Sequence, residues 1–497
     1  MNILLASSEV VPFAKTGGLA DVSGALPRAL HALGHDVRVI LPFYRAVSEE
    51  KFRPRSLLPE MIVQFPGNWQ VGSMWETTFP GSEIPVYLVR HDHYFDRDGL
   101  YGEKGDDYPD NAERFSFFCM AALWTLKGIG WQPDVIHCND WQTALIPTYL
   151  RNLPIVRSDP FYGSIGAVFT VHNLAYQGRF GPAVLERIGL DLAVYHPEGL
   201  EFYGAVNLLK AGIVYADALT TVSRQYAKEI QTEEFGCGLD GILRAHADRL
   251  HGIMNGIDYS LWNPELDEFT ASHYWPTNMA GKARCKEALQ KDKGLPQDAS
   301  IPLIGMISRL DSQKGFDLLA ESLDDIMALD VQMVILGTGD PACHEMLEEA
   351  TKQYPHRLSV DLTFNNALAH QIEAGADMFL MPSRFEPCGL NQLISMKYGT
   401  APIVRKVGGL ADSIVNATIE SVRKGQGTGF VFEAYDPNEM LKAVKRAVSM
   451  YREKPELWAR LVQNAMAQVF SWDVSARAYE GLFRQVWQER QERFLLH

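Results

Sequence analysis

Short apolar runs of strand-forming residues alternate with longer amphipathic segments along almost the whole chain, and the alternation occurs twice. Parallel neighbours in a sheet need a connection of a dozen or more residues, usually a helix, so this pattern predicts parallel sheets covered by helices on both faces. In the first half the predicted strands are 2–6, 36–41, 85–90, 134–137, 167–172 and 218–222. A break follows near 236–250, and from Ile301 the alternation resumes in IPLIGMIS, VQMVILG, LSVDLTF, DMFLMPS, APIVR and GFVFE. Each half opens with a strand, a lysine-bearing loop, a helix and a second strand: NILLASSEV, KTGGLADVSGALPRALHALG and DVRVILP in the first, IPLIGMISRL, QKGFDLLAESLDDIMAL and VQMVILG in the second. A chain of 497 residues is also longer than one core usually supports. The expectation is α/β with two doubly wound, Rossmann-like domains, 1–245 and 246–475, and a ligand between them, because such sheets bind ligands outside the carboxyl ends of their strands. The remainder, 476–497, places Tyr479, Leu482, Phe483, Val486, Trp487 and Phe494 on one helical face. That face should pack on a domain, with a return to the first as one option.

Charge narrows the partners. With 61 acidic against 46 basic side chains the net charge is −15, which argues against nucleic acid and against anionic membrane. Any anionic ligand must then be held by local cations. The six cysteines have no paired spacing, so a disulfide framework or zinc ribbon is not expected and a reducing, cytoplasmic setting fits. The opening MNILLASSEV reads as a strand rather than a secretion signal, and no apolar run is long enough to span a bilayer.

Chemistry concentrates in the predicted strand-to-helix turns. In KTGGLADV, Gly17 and Gly18 permit close backbone approach and Lys15 adds a charge beside a helix start; the same residues also make an ordinary glycine turn with a solvated lysine. Neither GxGxxG nor GxxxxGK[ST] is present. SRLDSQKG supplies Arg309 and Lys314 at the corresponding turn of the second half, a pair suited to a diphosphate, or else two surface charges flanking a helix. In PSRFEPCGLNQL, Glu386 stands at a sheet's carboxyl edge beside the backbone N–H groups of Cys388, Gly389 and Leu390. It reads either as a ligand-facing carboxylate or as a charge complementing a helix N-terminus. Cys388 itself reads as a small buried residue rather than a nucleophile. VRKVGGLADSI repeats the GGLAD of the first half and offers Gly408 and Gly409 as a further amide cradle. His172 ends a strand, where it is either packed and hydrogen-bonded or catalytic, and Asn173 beside it suits a sugar hydroxyl. HDH at 91–93 and DRD at 96–98 mimic metal-ligand spacing without the rest of a coordination set, so no metal is expected. No Ser–His–acid set or isolated carboxylate pair points to hydrolysis.

Six of these segments, KTGGLADV, HCNDWQTAL, TVHNLAYQG, MNGID, SRLDSQKG and PSRFEPCGL, together resemble bacterial glycogen synthases and plant starch synthases, in the family's order and almost end to end. The resemblance implies two doubly wound domains facing a deep cleft, the glycosyltransferase B arrangement. It implies transfer of glucose from ADP-glucose to the non-reducing-end 4-hydroxyl of glycogen or another α-1,4-glucan, with retention of configuration and without a metal or organic cofactor. By motif, Lys15 is similar to the residue near the donor diphosphate, with Asp21 in the same loop. Arg309 and Lys314 match the diphosphate clamp, His172 the histidine at the transferred glucose, and Glu386 the essential carboxylate, helped by Cys388 and Gly389. Asn255 and Tyr94 are implied to line the glucose pocket, with Asp140 as its acidic neighbour and Trp141 as packing support. Three positions depart from the wider pattern. Ile394 stands where related retaining transferases often carry a second glutamate. The TGGL turn reads VGGL, with Val407, and Phe364-Asn365-Asn366 replaces a tyrosine before an acidic pair, leaving Phe364 for adenine stacking. The competing readings are a UDP-glucose transferase of the same fold and a glucan-binding homologue without catalysis.

Overall fold

The computed structural model describes residues 1–65, 68–103 and 105–495. Two compact units emerge, one formed by residues 1–255 together with the segment from Trp472 onward, the other by Gly256–Ser471.

The centre of the first unit is the strand Asn2–Ala6, whose Ile3, Leu4 and Leu5 are buried because helices cover both faces of the sheet. It pairs in parallel with Asp36–Pro42 on one side and Val135–Asn139 on the other. Beyond Val135–Asn139 the sheet continues through Gly166–Val171 and Ala218–Thr221 to Leu250–Gly252. Beyond Asp36–Pro42 it continues through Pro85–Arg90 to an antiparallel hairpin, Asn68–Thr78 and Arg55–Phe65. The hairpin escaped the sequence reading because Pro59 interrupts Arg55–Phe65. The structure tolerates that proline on the outermost strand, where the register shifts between Ser56 and Met61. The first boundary falls at Asn255 rather than 245, since Leu250–Gly252 is itself a strand of this sheet.

The second unit is a parallel sheet in the order Leu358–Asp361, Gln332–Leu336, Leu303–Ile307, Met378–Met381, Ala401–Arg405, Phe430–Phe432. These are the six strands expected from the second half. Residues 256–300, which carry no alternation, belong to this unit through buried polar anchors. The Lys286 ammonium donates to the Asp377 carboxylate at 2.6 Å and to the Ala299 and Ile301 carbonyls. Asp267 accepts from His370 at 2.8 Å and from the Tyr398 hydroxyl.

The last helix, Trp472–Leu495, returns to the first unit and packs on Gly18–Ala32 and the strand Gly166–Val171. It starts before 476 because Trp472 and Ser475 are already buried, the Ser475 hydroxyl donating to the Met254 carbonyl. Tyr479, Leu482, Phe483 and Val486 are buried as the periodicity predicts, and Phe494, though 40% exposed, sets its ring against Gly163. Truncating a fully buried phenylalanine costs about 3–5 kcal/mol. Phe483→Ala should therefore lower the calorimetric transition of the first unit while leaving the second unit's transition in place. An unchanged first transition would mean the helix is only appended.

Candidate active site

In each unit the chain runs outward from a central strand to one side and then returns to its other side, so the loops leaving the two adjacent carboxyl ends part and open a crevice. In the first unit these ends are Ala6 and Asn139; in the second they are Ile307 and Met381. The predicted residues divide between these two places.

At the first crevice the loop after Ala6 carries Glu9, a buried carboxylate the sequence reading passed over. It accepts from the Thr16 backbone N–H and hydroxyl, from the Gly17 N–H at 3.0 Å and from the Tyr101 hydroxyl at 2.7 Å. The Gly17 amide is therefore spent inside the protein and does not serve as an anion cradle. Gly17 and Gly18 nonetheless have nothing within 4 Å of where a Cβ would stand. Open space, and not packing, is what these glycines border. Lys15 pairs with Asp21 at 2.7 Å, both side chains well exposed. Such a pair contributes about 0–1 kcal/mol, so a phosphate can replace Asp21 as the lysine's partner at little cost.

The loop after Asn139 places Asp140 at φ 56° and ψ 179°, a backbone state costing on the order of 1–3 kcal/mol for a non-glycine residue. The geometry turns its carboxylate onto the next strand's end, where it accepts the His172 N–H at 2.7 Å and a further bond from the Asn173 backbone. Burial pushes the Asp140 carboxyl up to about 7 in spite of those bonds. Burial pushes His172 down to about 3, so its imidazole is neutral. Its Nε2 lies 2.8 Å from Asn139 Oδ1, and the Asn139 amide nitrogen donates to the Ala6 and His137 carbonyls. With the amide orientation so fixed, Nε2 carries the proton and Nδ1 is left as an acceptor. Trp141 packs against Phe115 and Phe180, and the left-handed Gly178 is glycine because a Cβ there would stand 2.5 Å from the indole. Two of the sequence segments thus lock together.

Two first-unit candidates do not join this group. Tyr94 is a largely buried ring stacked on His91 at 4.3 Å and set against Phe117. Asn255 ends the unit, 5% exposed, with no partner for its Oδ1 among the described residues. The HDH and DRD tripeptides also have internal roles: His91 stacks on Tyr94, and Asp96 and Asp98 both accept from Arg45. Among the described residues no group of three or more His, Cys, Asp or Glu is placed to hold a metal ion.

At the second crevice Lys314 and Glu386 meet at 2.7 Å, with side chains 18% and 7% exposed, and the Ser383 hydroxyl donates to the same carboxylate oxygen at 2.9 Å. The two turns that bring them together are tied directly. Arg384 N donates to the Gln313 carbonyl, the Gln313 amide to the Phe385 carbonyl, and Gly315, at φ 77°, lets the Pro382 carbonyl approach where a Cβ would be only 2.2 Å away. Arg309 lies half exposed beside Asp311, at 3.3 Å. The expected cradle at Gly408 and Gly409 is a different device. A Cβ at either would stand 1.9 Å from the Glu386 or Cys388 carbonyl, and the Gly409 N–H donates to the Glu386 carbonyl at 3.1 Å. These glycines press one turn against another and hold the Glu386 loop, so Val407 in place of threonine leaves that function intact. Gly389, at φ 70°, is pinned between Cys388 and the Gln392 side chain, and Leu390 precedes the helix Asn391–Lys397. Cys388 is buried. Phe364 follows the outermost strand and is 83% exposed, apart from the Lys314–Glu386 group. Asn139, Ser383 and Gln313 were missed with Glu9; the strand-end address that singled out Glu386 applies to Glu9 equally.

Residues 2–245 match the model of the starch synthase catalytic domain, and 287–468 that of the group 1 glycosyl transferases. The chain is 48% identical over 484 residues to the glycogen synthase of Syntrophotalea carbinolica, covering 97% of this chain and 98% of that one. The chain belongs to the glycogen synthase family. Glycogen synthase 1 of Geobacter metallireducens is 45% identical, covering 99% and 97% of the two chains. The catalytic domain of starch synthase IV from Arabidopsis thaliana, solved bound to ADP and acarbose, is similar with a TM-score of 0.90 at 35% identity, covering 98% and 99%. Sucrose-phosphate synthase from Thermosynechococcus elongatus shares the fold, with a TM-score of 0.58 at 18% identity over 98% and 99% of the chains. As a member of this family the chain is a glycosyltransferase of two α/β domains, the glycosyltransferase B type. Among the described residues no helix is long and apolar enough to cross a membrane.

The Asp140 shift has a consequence for stability. Its native pKa is raised from an ordinary value near 3.9 to about 7, so the folded state holds a proton that the unfolded chain has lost. The associated stabilisation is complete below about pH 3.9 and is lost as pH rises through about 7. Asp140→Asn removes that loss. The variant should gain on the parent in denaturant unfolding as pH rises across this interval; a pH-independent difference would mean that Asp140 ionises as an ordinary aspartate.

Proposed function

We propose that this glycosyltransferase moves glucose from ADP-glucose to the non-reducing-end 4-hydroxyl of an α-1,4-glucan such as glycogen, retaining the α configuration and releasing ADP. The observation that carries the reading is the largely buried contact between Lys314 and Glu386 at a strand-end crevice, with Arg309 half exposed against Asp311 in the turn that carries Lys314. The relative solved with ADP and acarbose supports the choice of nucleotide and glucan.

In the proposed reaction the bond from C1 of glucose to the diphosphate breaks as the bond from C1 to the acceptor oxygen forms on the same face. The acceptor proton passes to the departing diphosphate. Arg309, as a fork, and Lys314, with two of its three N–H groups unused by Glu386, stabilise the negative charge that develops there. Lys15 adds a further cation once it leaves Asp21. Glu386 accepts sugar hydroxyls and orients the ring as positive charge builds at C1. Neutral His172 offers Nδ1 to a sugar hydroxyl and Asn173 lies next to it, while Asp140 holds both backbones in place. The proposed chemistry uses no metal or organic cofactor. A cytoplasmic setting accords with six cysteines that are all free.

The deciding experiment supplies ADP-glucose or UDP-glucose with glycogen and follows nucleoside diphosphate release and glucan growth together, with and without a chelator. Faster turnover of UDP-glucose, glucan binding without release, or loss of activity to the chelator would each overturn a stated part of the reading.

Within it, Glu386→Ala should lower kcat by roughly 10² or more, with a smaller change in donor KM. Arg309→Ala should be partly rescued by donors with better leaving groups, whereas Glu386→Ala should not. Because Lys314→Ala leaves the Glu386 carboxylate buried without its cation, its effect and that of Glu386→Ala should fall well short of adding. Additive losses would separate the two residues into independent roles.

A further inference from the structure

A cavity of about 330 Å³ opens in the first unit, lined by Arg151, Arg249, Arg490 and Arg493, by Asp217 and by the stretch 214–216. Its position is set by Asp217, whose N–H donates to the Ala167 carbonyl and whose carboxylate accepts the Ala167 N–H, both at 2.8 Å. Ala167 is the second residue of the strand Gly166–Val171, and Asp217 immediately precedes the strand Ala218–Thr221. The cavity therefore lies at their amino edge, whereas His172 and Asp140 stand at the carboxyl edge of the same sheet. It is no part of the candidate active site.

Four guanidiniums and one carboxylate line the cavity in a chain whose net charge is −15, with Glu489 beside Arg493 and Asp248 near Arg249 offsetting part of that charge. Structural duties use only part of this charge. Arg249 donates to the Ile213, Val214 and Ala216 carbonyls and so closes the carboxyl end of the helix Leu208–Tyr215. Arg151 Nη2 donates to Asp217 at 2.6 Å and to the Ile165 carbonyl, but its Nη1 is buried without a partner among the described residues. Arg490 gives its Nε–H to the Gly163 carbonyl at 3.1 Å. Arg493 stands 4.0 Å from Glu489 with 62% of its side chain exposed. Burial, and after it the neighbouring Arg151 and Arg493, lower the pKa of Arg490, while Asp217 raises it.

We propose that this cavity is a second, non-catalytic site for a small phosphate-bearing anion. Guanidinium forks converging on one space match the several oxygens of a phosphate, and the arginines that line the space outnumber its one carboxylate. The volume sits at the small end of ligand pockets, suited to orthophosphate or a monosaccharide phosphate and small for a nucleotide sugar.

The test is isothermal titration of the full chain with inorganic phosphate and, separately, with a hexose monophosphate, against chloride at matched ionic strength. The parent and Arg309→Ala should both bind saturably, and Arg490→Gln combined with Arg493→Gln should weaken binding at least tenfold. Tighter binding of the hexose phosphate would assign the site to a metabolite, and equal binding to free phosphate. Absence of saturable binding, binding that survives the double substitution, or binding that Arg309→Ala abolishes would overturn the proposal. Should Arg490→Gln fail to fold, because its Gly163 contact is lost, the exposed Arg493→Gln alone gives the reading, with a several-fold loss expected.

Discussion

A parallel sheet covered by helices on both faces has no place for charge along its strands, because a charge buried there without a partner costs more than packing returns. Working groups are therefore confined to strand ends, and in this chain they gather where two adjacent strand ends part. The Lys314–Glu386 contact is the clearest product of that confinement. A lysine and a serine hydroxyl both reach this nearly buried carboxylate, and they reach it because two turns from neighbouring strands are stitched backbone to backbone. The first unit follows the same rule with different chemistry. There Glu9 ties down the lysine-bearing loop and Asp140 ties down the strand end that carries His172.

The two GGLAD segments show how one local sequence takes different meanings from its surroundings. Gly17 and Gly18 border open space, so neither backbone angle nor a neighbour demands glycine, and the room itself is the useful property. Gly408 and Gly409 are demanded by contact, since the carbonyls of Glu386 and Cys388 occupy the volume a side chain would need. A pattern read along the chain sees two anion cradles. The tertiary contacts make the second a loop clamp and turn the Gly17 amide of the first onto Glu9.

Burial also sets opposite protonation in two neighbours. Asp140 and His172 are joined through one backbone bond, yet the low polarity around them raises the acid and lowers the base, favouring the neutral form of each. A neutral, tautomer-fixed imidazole beside a strained aspartate is a positioning arrangement, consistent with chemistry that depends on orienting a sugar more than on moving a proton at His172.

Much of this protein was legible in its sequence, because strand and helix periods are local and glycine, lysine and glutamate in strand-to-helix turns mark the ligand side of such sheets. The two-domain α/β class, the six strands of the second unit and the strand-end addresses of Lys15, His172, Arg309, Lys314 and Glu386 all follow from short-range pattern. What required the tertiary structure was every feature made by residues distant in sequence. The hairpin at the sheet edge was hidden by Pro59, which only an edge strand accommodates. The return of Trp472–Leu495 to the first unit is decided by a buried face that any sheet might have received. Glu9 looks like one acid among many until the Thr16 and Gly17 amides close on it, and the packing of Tyr94 on His91 and Phe117 has no mark in the sequence. The arginines of the amino-edge cavity lie at 151, 249, 490 and 493; Arg490 and Arg493 share a helix face by their spacing, but only the folded chain gathers them with Arg151 and Arg249, because charge is local in space and not in sequence.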